Sequence, residues 1–176
     1  MLVVIVPLDP ITCTNIAVYF NKQESKISKL IGIAHHILSN YGPMTSMKLQ
    51  KLVYYSQAWH LVWAEKPLFT EEIQAWANGP VIPELYKTHK QEFSLPKNEY
   101  ANSKSESLTK LERETIDSVA KFYNQYSGFE LSEITHREEP WLKAREVMDS
   151  SEQGNNPISL ELMQQYYSTL AFDVEK

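Results

Sequence analysis

The sequence predicts a mainly α protein, a compact helical domain of about six helices with one small extended or β element near residues 68–78. Three observations carry this expectation. Apolar residues return every three or four positions over several segments, the spacing that lines one face of a helix. Thr109-Lys110-Leu111-Glu112 has the pattern of a capping box, in which two side chains satisfy backbone N–H groups at a helix start. Residues 72–75 instead alternate polar and apolar and lead into Asn78-Gly79-Pro80, a turn signal, so this stretch reads as extended.

Taken in order, Ile27, Leu30, Ile31, Ala34, Ile37 and Leu38 predict an amphipathic helix ending near Asn40-Tyr41-Gly42-Pro43. Thr45 or Ser46 offers the N-cap oxygen for a second helix. On that helix Leu49, Leu52, Val53, Trp59, Val62 and Trp63 form one broad stripe, with Ser56 the small residue where another helix approaches. Residues 68–76 follow as a short strand or extended arm. Pro83 suits the first turn of a helix through Glu84, Leu85, Tyr86 and Lys87, because the N–H it lacks would be unpaired there anyway. Residues 94–107, rich in Ser, Asn and Lys, read as a surface loop. The capping-box helix is expected to bury Ile116, Val119, Ala120 and Tyr123 and to stop at Gly128. Ser132 is then expected to cap a short helix, and Pro140 to open another through Trp141, Leu142 and Ala144. Residues 150–157 read as a loop, and Ser159 begins a last helix carrying Leu160, Met163, Tyr167 and Leu170.

A chain of 176 residues is sized for one domain with a real core, and 43% hydrophobic with 22% charged residues is a globular composition. No run of about 18 or more apolar residues occurs, so no transmembrane helix is expected. The apolar start, residues 1–6, lacks a basic flank and halts at Pro7. It reads as a short strand or a leader outside the domain rather than a signal peptide. The lone Cys13 excludes an internal disulfide and a cysteine-built zinc site, and it fits a reducing, cytoplasmic setting.

The net charge of −5 is unevenly spread, since residues 21–64 hold Lys22, Lys26, Lys29, Lys48 and Lys51 against Glu24 alone. A basic helical pair packed on an acidic half explains this as well as a basic surface for an acidic partner does. An acidic chain with no Lys/Arg run is not expected to bind nucleic acid. The second helix also breaks a local preference. Lys48 stands in its first turn, where the helix dipole favours a carboxylate, and neither Lys48 nor Lys51 has an acid within four residues. Such violations mark tertiary or functional needs, met by an acid elsewhere in the fold or by a partner.

No phosphate-cradling loop, dinucleotide fingerprint, zinc-protease helix or nucleophile elbow is present, and no cofactor is expected. Adjacent His35 and His36 point to different helix faces and cannot chelate together. A metal site from His60, His136 and Glu138 is conceivable, but hydrogen-bonded structural histidines are the simpler reading. A hydrolase using His136 with Glu138 lacks an activated nucleophile, so His136 reads instead as a polar anchor for the Gly79–Val81 turn. Aromatic residues at helical spacing are first of all core. Tyr54 and Tyr55 are neighbours that cannot share one face, so one of them is expected at the surface. In a helix-turn-helix reading, Gln50 and Gln57 would face base edges, but two packed core helices are the preferred account.

The order of residues says more than the composition. Residues 47–60, Met-Lys-Leu-Gln-Lys-Leu-Val-Tyr-Tyr-Ser-Gln-Ala-Trp-His, continue through Leu68-Phe69 and Ala75-Trp76 to Asn78-Gly79-Pro80-Val81-Ile82-Pro83-Glu84-Leu85-Tyr86. Together they resemble the Panacea antitoxin domain, the SocA-like family found in prophages and toxin–antitoxin pairs. Leu131-Ser132-Glu133-Ile134-Thr135-His136-Arg137-Glu138-Glu139-Pro140-Trp141 is similar to that family's closing element. The resemblance runs roughly from Ile27 to Leu170. It divides the chain into an N-terminal arm, 1–26, and a Panacea-like domain, 27–171. The resemblance implies a non-enzymatic antitoxin that binds a cognate protein toxin, and some members deliver the toxin to a cellular protease as adaptors. No membrane partner is implied. The alternative from another class is a DNA-binding regulator of a prophage or toxin–antitoxin operon. Lys48, Lys51, Tyr54, Tyr55 and Trp76 are the expected partner-binding residues. Gln57, Trp59, His60, Gly79, Pro80, Val81, Pro83, Tyr86, His136, Pro140 and Trp141 are the motif positions expected to be structural.

Overall fold

A helix can be buried on every side only if other elements surround it, and the second helix of this chain is such a case. The structure, a computed structural model, describes residues 29–103, 107–146 and 154–173. The N-terminal arm, Ile27 and part of the 150–157 loop lie outside the described residues. Helix α1 covers 29–41. It is followed by β1 (Met44–Thr45), α2 (Ser46–Ala64), β2 (Gln74–Trp76), β3 (Gly79–Val81), α3 (Pro83–Thr88) and β4 (Ser94–Leu95). The second half is helical: α4 (Lys110–Tyr123), α5 (Gly128–Thr135), α6 (Glu139–Arg145) and α7 (Leu160–Asp173). The protein is mainly α, as expected, with seven helices and two small antiparallel sheets among the described residues.

Helix α2 starts where Thr45 accepts a hydrogen bond from Lys48 N at 3.2 Å, and α4, α5 and α7 pack around it. Twelve of its nineteen residues are buried, and they fall on all faces. The expected single stripe is therefore corrected: Trp63, at its C-terminal end, is exposed while Tyr54, Tyr55 and Gln57 are not. Helix α4 runs antiparallel to α2, from a His60–Thr115 hydrogen bond of 3.1 Å to Lys48 Nζ donating to the Asn124 carbonyl at 2.7 Å. The Thr109–Glu112 capping box forms as read, and Ile116, Val119, Ala120 and Tyr123 are its buried face. The basic first half does pack on the acidic second, through Lys29–Glu112 at 2.6 Å and His36–Asp117 at 2.8 Å.

Three local expectations are corrected. Gly128 does not stop α4. It opens α5, which Ser127 and Glu130 cap as a second capping box, while Ser132 lies inside that helix. A Cβ on Gly128 would stand 2.9 Å from Lys48 N, so the missing side chain lets α5 meet the start of α2. The 94–107 segment is anchored at its start, where Ser94 and Leu95 pair with Thr45 and Met44 and Leu95 is buried. Strands of two residues carry too little pattern to be seen in sequence.

The extended arm before β2 is held by a single side chain. Buried Gln57 accepts from Leu68 N at 2.8 Å and Phe69 N at 3.1 Å, and donates to the Phe69 carbonyl at 2.9 Å. Beyond it β2 pairs with β3 in the register Gln74↔Val81, Ala75↔Pro80, Trp76↔Gly79. The closing motif then fastens this hairpin from the other side: Ser132 Oγ donates to the Asn78 carbonyl at 2.8 Å, Trp141 Nε1 to Trp76 at 3.0 Å and Arg145 to Ala75 at 2.9 Å. At the hairpin turn Gly79 has φ +92°, and a Cβ there would lie 2.7 Å from both Lys51 Cε and Thr135 Oγ1. Gly79→Val adds backbone strain and a steric clash at once. The expected loss is about 1–3 kcal/mol in urea unfolding, and an unchanged midpoint would contradict the glycine requirement.

Candidate functional site

Polar groups buried without full partners are rare and concentrate where a protein works. Two such constellations flank α2. The first is a half-open cavity of about 400 Å³ between the first turns of α2, the β2–β3 turn and α3. Gln50 and Lys51 line it from α2, Trp76, Asn78 and Val81 from the hairpin, and Tyr86 and His89 from the α3 side. Pro83 begins α3 as read, which sets Tyr86 one turn on, edge to face with Trp76 at 5.1 Å.

Lys51 is 1% exposed, and its ammonium donates to the Pro80 carbonyl at 3.1 Å. Among the described residues no carboxylate forms an ion pair with it. Burial alone brings its pKa down to about 7, because the charged form loses its hydration. Gln50 Oε1 accepts from Ile82 N at 2.9 Å, and its amide sits 3.1 Å from His89 Nε2. His89 is buried, with no side-chain partner for Nδ1, and burial lowers its pKa. These residues position one another: Gly79 has no side chain where the Lys51 stem passes, and Gln50 fixes both the strand end and the His89 ring.

The second constellation lies under α7. Glu138, buried, accepts from Tyr55 at 3.2 Å and from Tyr167 at 2.7 Å, and Tyr167 reaches the Tyr54 hydroxyl at 3.4 Å. Burial raises Glu138 to about 7, against the lowering effect of the Tyr167 and Tyr55 hydrogen bonds. The ring of Tyr55 stacks on Tyr123 at 4.0 Å. This arrangement is a latch for the last helix. It is not an acid–base pair, since Glu138 faces tyrosines while His136 packs on Trp141 at 4.2 Å and lies 3.9 Å from Glu133. Burial lowers the His136 pKa, with Glu133 opposing and Lys51 and Arg145 adding to the effect.

The expected partner-binding set separates accordingly. Lys51, Tyr54 and Tyr55 are buried, so they offer no surface to a partner, and the reading of an exposed tyrosine is corrected: a helix enclosed on all sides has no outward face for it. Lys48 is half-buried, its amine on the Asn124 carbonyl, with burial lowering its pKa and Glu130 opposing. Trp76 is half-buried at the cavity wall. The conceived metal set does not assemble, because His60 bonds Thr115 while His136 and Glu138 face different neighbours. Gln50 and Gln57 are buried on backbone groups, so α2 offers neither to a base edge. Sequence reasoning missed His89 and Tyr167 as partners of these constellations. Their contacts span 39 and 29 residues, and the available signal was the string of polar side chains on a helix that proved to be core.

The profile of the antitoxin SocA-like, Panacea domain family matches residues 49–142. The chain belongs to this family. The matched stretch runs from Leu49 within α2 to Leu142 within α6 and contains the closing motif, all but the first two residues of the other, the hairpin and most of the cavity wall. Its antitoxin-like character points to a toxin–antitoxin role. No curated protein matches the chain, and no solved structure does. No described helix is long and apolar enough to cross a membrane.

Two buried titrations give opposite pH signatures. Lys51 binds its proton up to 10.5 when unfolded but only to about 7 when folded, so stability rises with pH between these values, by at most ~1.4 kcal/mol per unit. Lys51→Met should abolish that slope in urea titrations run from pH 7 to 10. Glu138 acts in reverse: it holds its proton to about 7 when folded and 4.5 when unfolded, so its contribution falls as pH rises through that window. Glu138→Gln, which keeps an oxygen for the tyrosines, should flatten stability between pH 4.5 and 7. Slopes unchanged in the two variants would refute the burial account.

Proposed function

We propose that this protein is an antitoxin that neutralises a cognate protein toxin by binding it directly. The family match over residues 49–142 carries the reading, because it covers the motifs and the scaffold they build. Exposed aromatics support it: Phe93, Phe122, Phe129 and Trp63 stand at the surface, and aromatic anchors dominate the energetics of protein interfaces. A DNA-binding reading has little to recommend it once α2 is a core helix whose glutamines bond the backbone. A hydrolase reading is weakened in the same way, with Glu138 tied to two tyrosines and away from His136.

The mode of action within this reading is direct neutralisation, with delivery of the toxin to a protease as the adaptor variant. Expression of any small reading frame found beside this gene, alone and together with it, separates the possibilities. The expected results are arrest of growth by the neighbour alone, rescue on co-expression, and co-purification of the two proteins. Rescue that persists in a protease-deficient host supports direct neutralisation, and rescue lost there supports the adaptor variant. A neighbour harmless on its own would remove the main support for the antitoxin reading.

A further inference from the structure

Between α3 and β4 the chain makes an exposed turn. His89 and Leu95 are buried, while Lys90, Gln91, Glu92, Phe93 and Ser94 between them all face solvent. The Glu92 N–H donates to the His89 carbonyl at 2.9 Å, and Gln91 takes φ +74°, a left-handed conformation that residues with a side chain seldom adopt. The turn delivers Phe93, whose side chain is 81% exposed although so large an apolar ring gains by burial. Its backbone is fixed, because the Phe93 carbonyl accepts from Ser46 N at 3.0 Å. Ser46 and His89 also line the half-open cavity of about 400 Å³, so an exposed ring and a hollow share one patch of surface. Met47 and Tyr86 keep part of their surface at the mouth of that hollow.

We propose that this patch is a self-association surface, on which two copies of the chain meet about a two-fold axis and each seats its Phe93 in the mouth of the other's cavity, against Met47 and Tyr86. A knob and a hole on one patch suit such a contact, since a two-fold axis brings the same patch of both copies together. The charges of the turn carry the same symmetry. Lys90 and Glu92 flank Gln91 with opposite signs. When the turn runs antiparallel to itself with Gln91 at the axis, Lys90 of each copy faces the partner's Glu92. The same register sets Phe93 opposite the partner's His89, a ring that Tyr86 meets edge to face at 5.7 Å within each chain. Each turn thus carries its own complement, which selects a second copy as the occupant. The ring stays at the rim, outside the Trp76–Tyr86 contact, and does not reach buried Lys51. A contact centred on one turn belongs to the small, weak class of interfaces, so association depends on concentration. None of this rests on the antitoxin reading.

Sedimentation velocity of the full chain over about 5–500 µM, a range that brackets a weak dimer, reads the mass. The expected outcome for wild type is a rise from one chain to two, and Phe93→Ala should remain a single chain throughout. Lys90→Glu and Glu92→Lys each set like charges against one another twice, and each alone should associate at least ~10-fold more weakly. Mixed in equal amounts, the two variants carry complementary turns and should pair with each other about as strongly as wild type does. All three substitutions are at exposed positions, so melting temperatures measured at the dilute end should match wild type. Wild type that stays a single chain at the highest concentration, or a dimer that survives Phe93→Ala, overturns the proposal. Dimerisation of wild type without pairing of the mixed variants overturns the two-fold register and with it this surface. A chain that stays single yet loses rescue of a toxin-expressing cell on Phe93→Ala would overturn self-association, assign the patch to the toxin and leave the antitoxin reading in place.

Discussion

Helix α2 has to find a partner for every polar side chain it carries into the interior, and those partners are backbone groups of segments with no regular structure of their own. Gln57 holds the 68–69 arm, Gln50 the end of β3 and Lys51 the Pro80 carbonyl. An apolar helix of the same shape would pack equally well but leave those amides and carbonyls buried and unpaired, each at a cost of about 1–3 kcal/mol. The extended arm and the hairpin are thus positioned by the polar residues of the most buried helix. That explains why a run such as Gln50-Lys51 and Gln57 recurs within a stretch otherwise made of Leu, Val, Tyr and Trp.

The same logic acts from the other side. Ser132, Trp141 and Arg145 reach three hairpin carbonyls, at 78, 76 and 75, and so bind β2 to α5 and α6 without adding a strand. Residues 156–158 then run beside β2, with Asn156 accepting from Ala75 N at 2.9 Å and Ile158 donating to Ile73 at 2.8 Å. The hairpin is consequently clamped along the outer edge of β2, while Lys51 holds the Pro80 carbonyl of β3. A loop held this firmly is a rigid wall, and a rigid wall is what a cavity needs if it is to bind by preorganisation rather than by closing.

Much of the architecture was legible because its signals are local. The Thr109 capping box, Pro83 and Pro140 at helix starts and the Asn78-Gly79-Pro80 turn all fell where the chain places them. The main error has one cause. A helix surrounded on every side shows no stripe, so periodicity assigned Tyr54, Tyr55 and Lys51 to a surface they do not reach. Ser127 was overlooked as a cap because Gly128 resembled a stop; only the packing of α5 against the start of α2 shows why glycine stands there. The cavity itself could not be read, since its walls come from positions 46 to 89 that meet only through the hairpin and α3.

Lys48 and Lys51 illustrate how far one turn of helix can separate two like residues. Both violate the preference for acids near a helix start, and from sequence they formed a single feature. Lys48 finds a carbonyl at the end of α4 and the field of Glu130, the ordinary resolution of such a violation within a fold. Lys51, three positions on and turned inward, finds one carbonyl and no described carboxylate. Its ammonium on the Pro80 carbonyl, beside a glycine of positive φ, ties the start of α2 to the hairpin turn, so two like residues one turn apart hold two different parts of the fold.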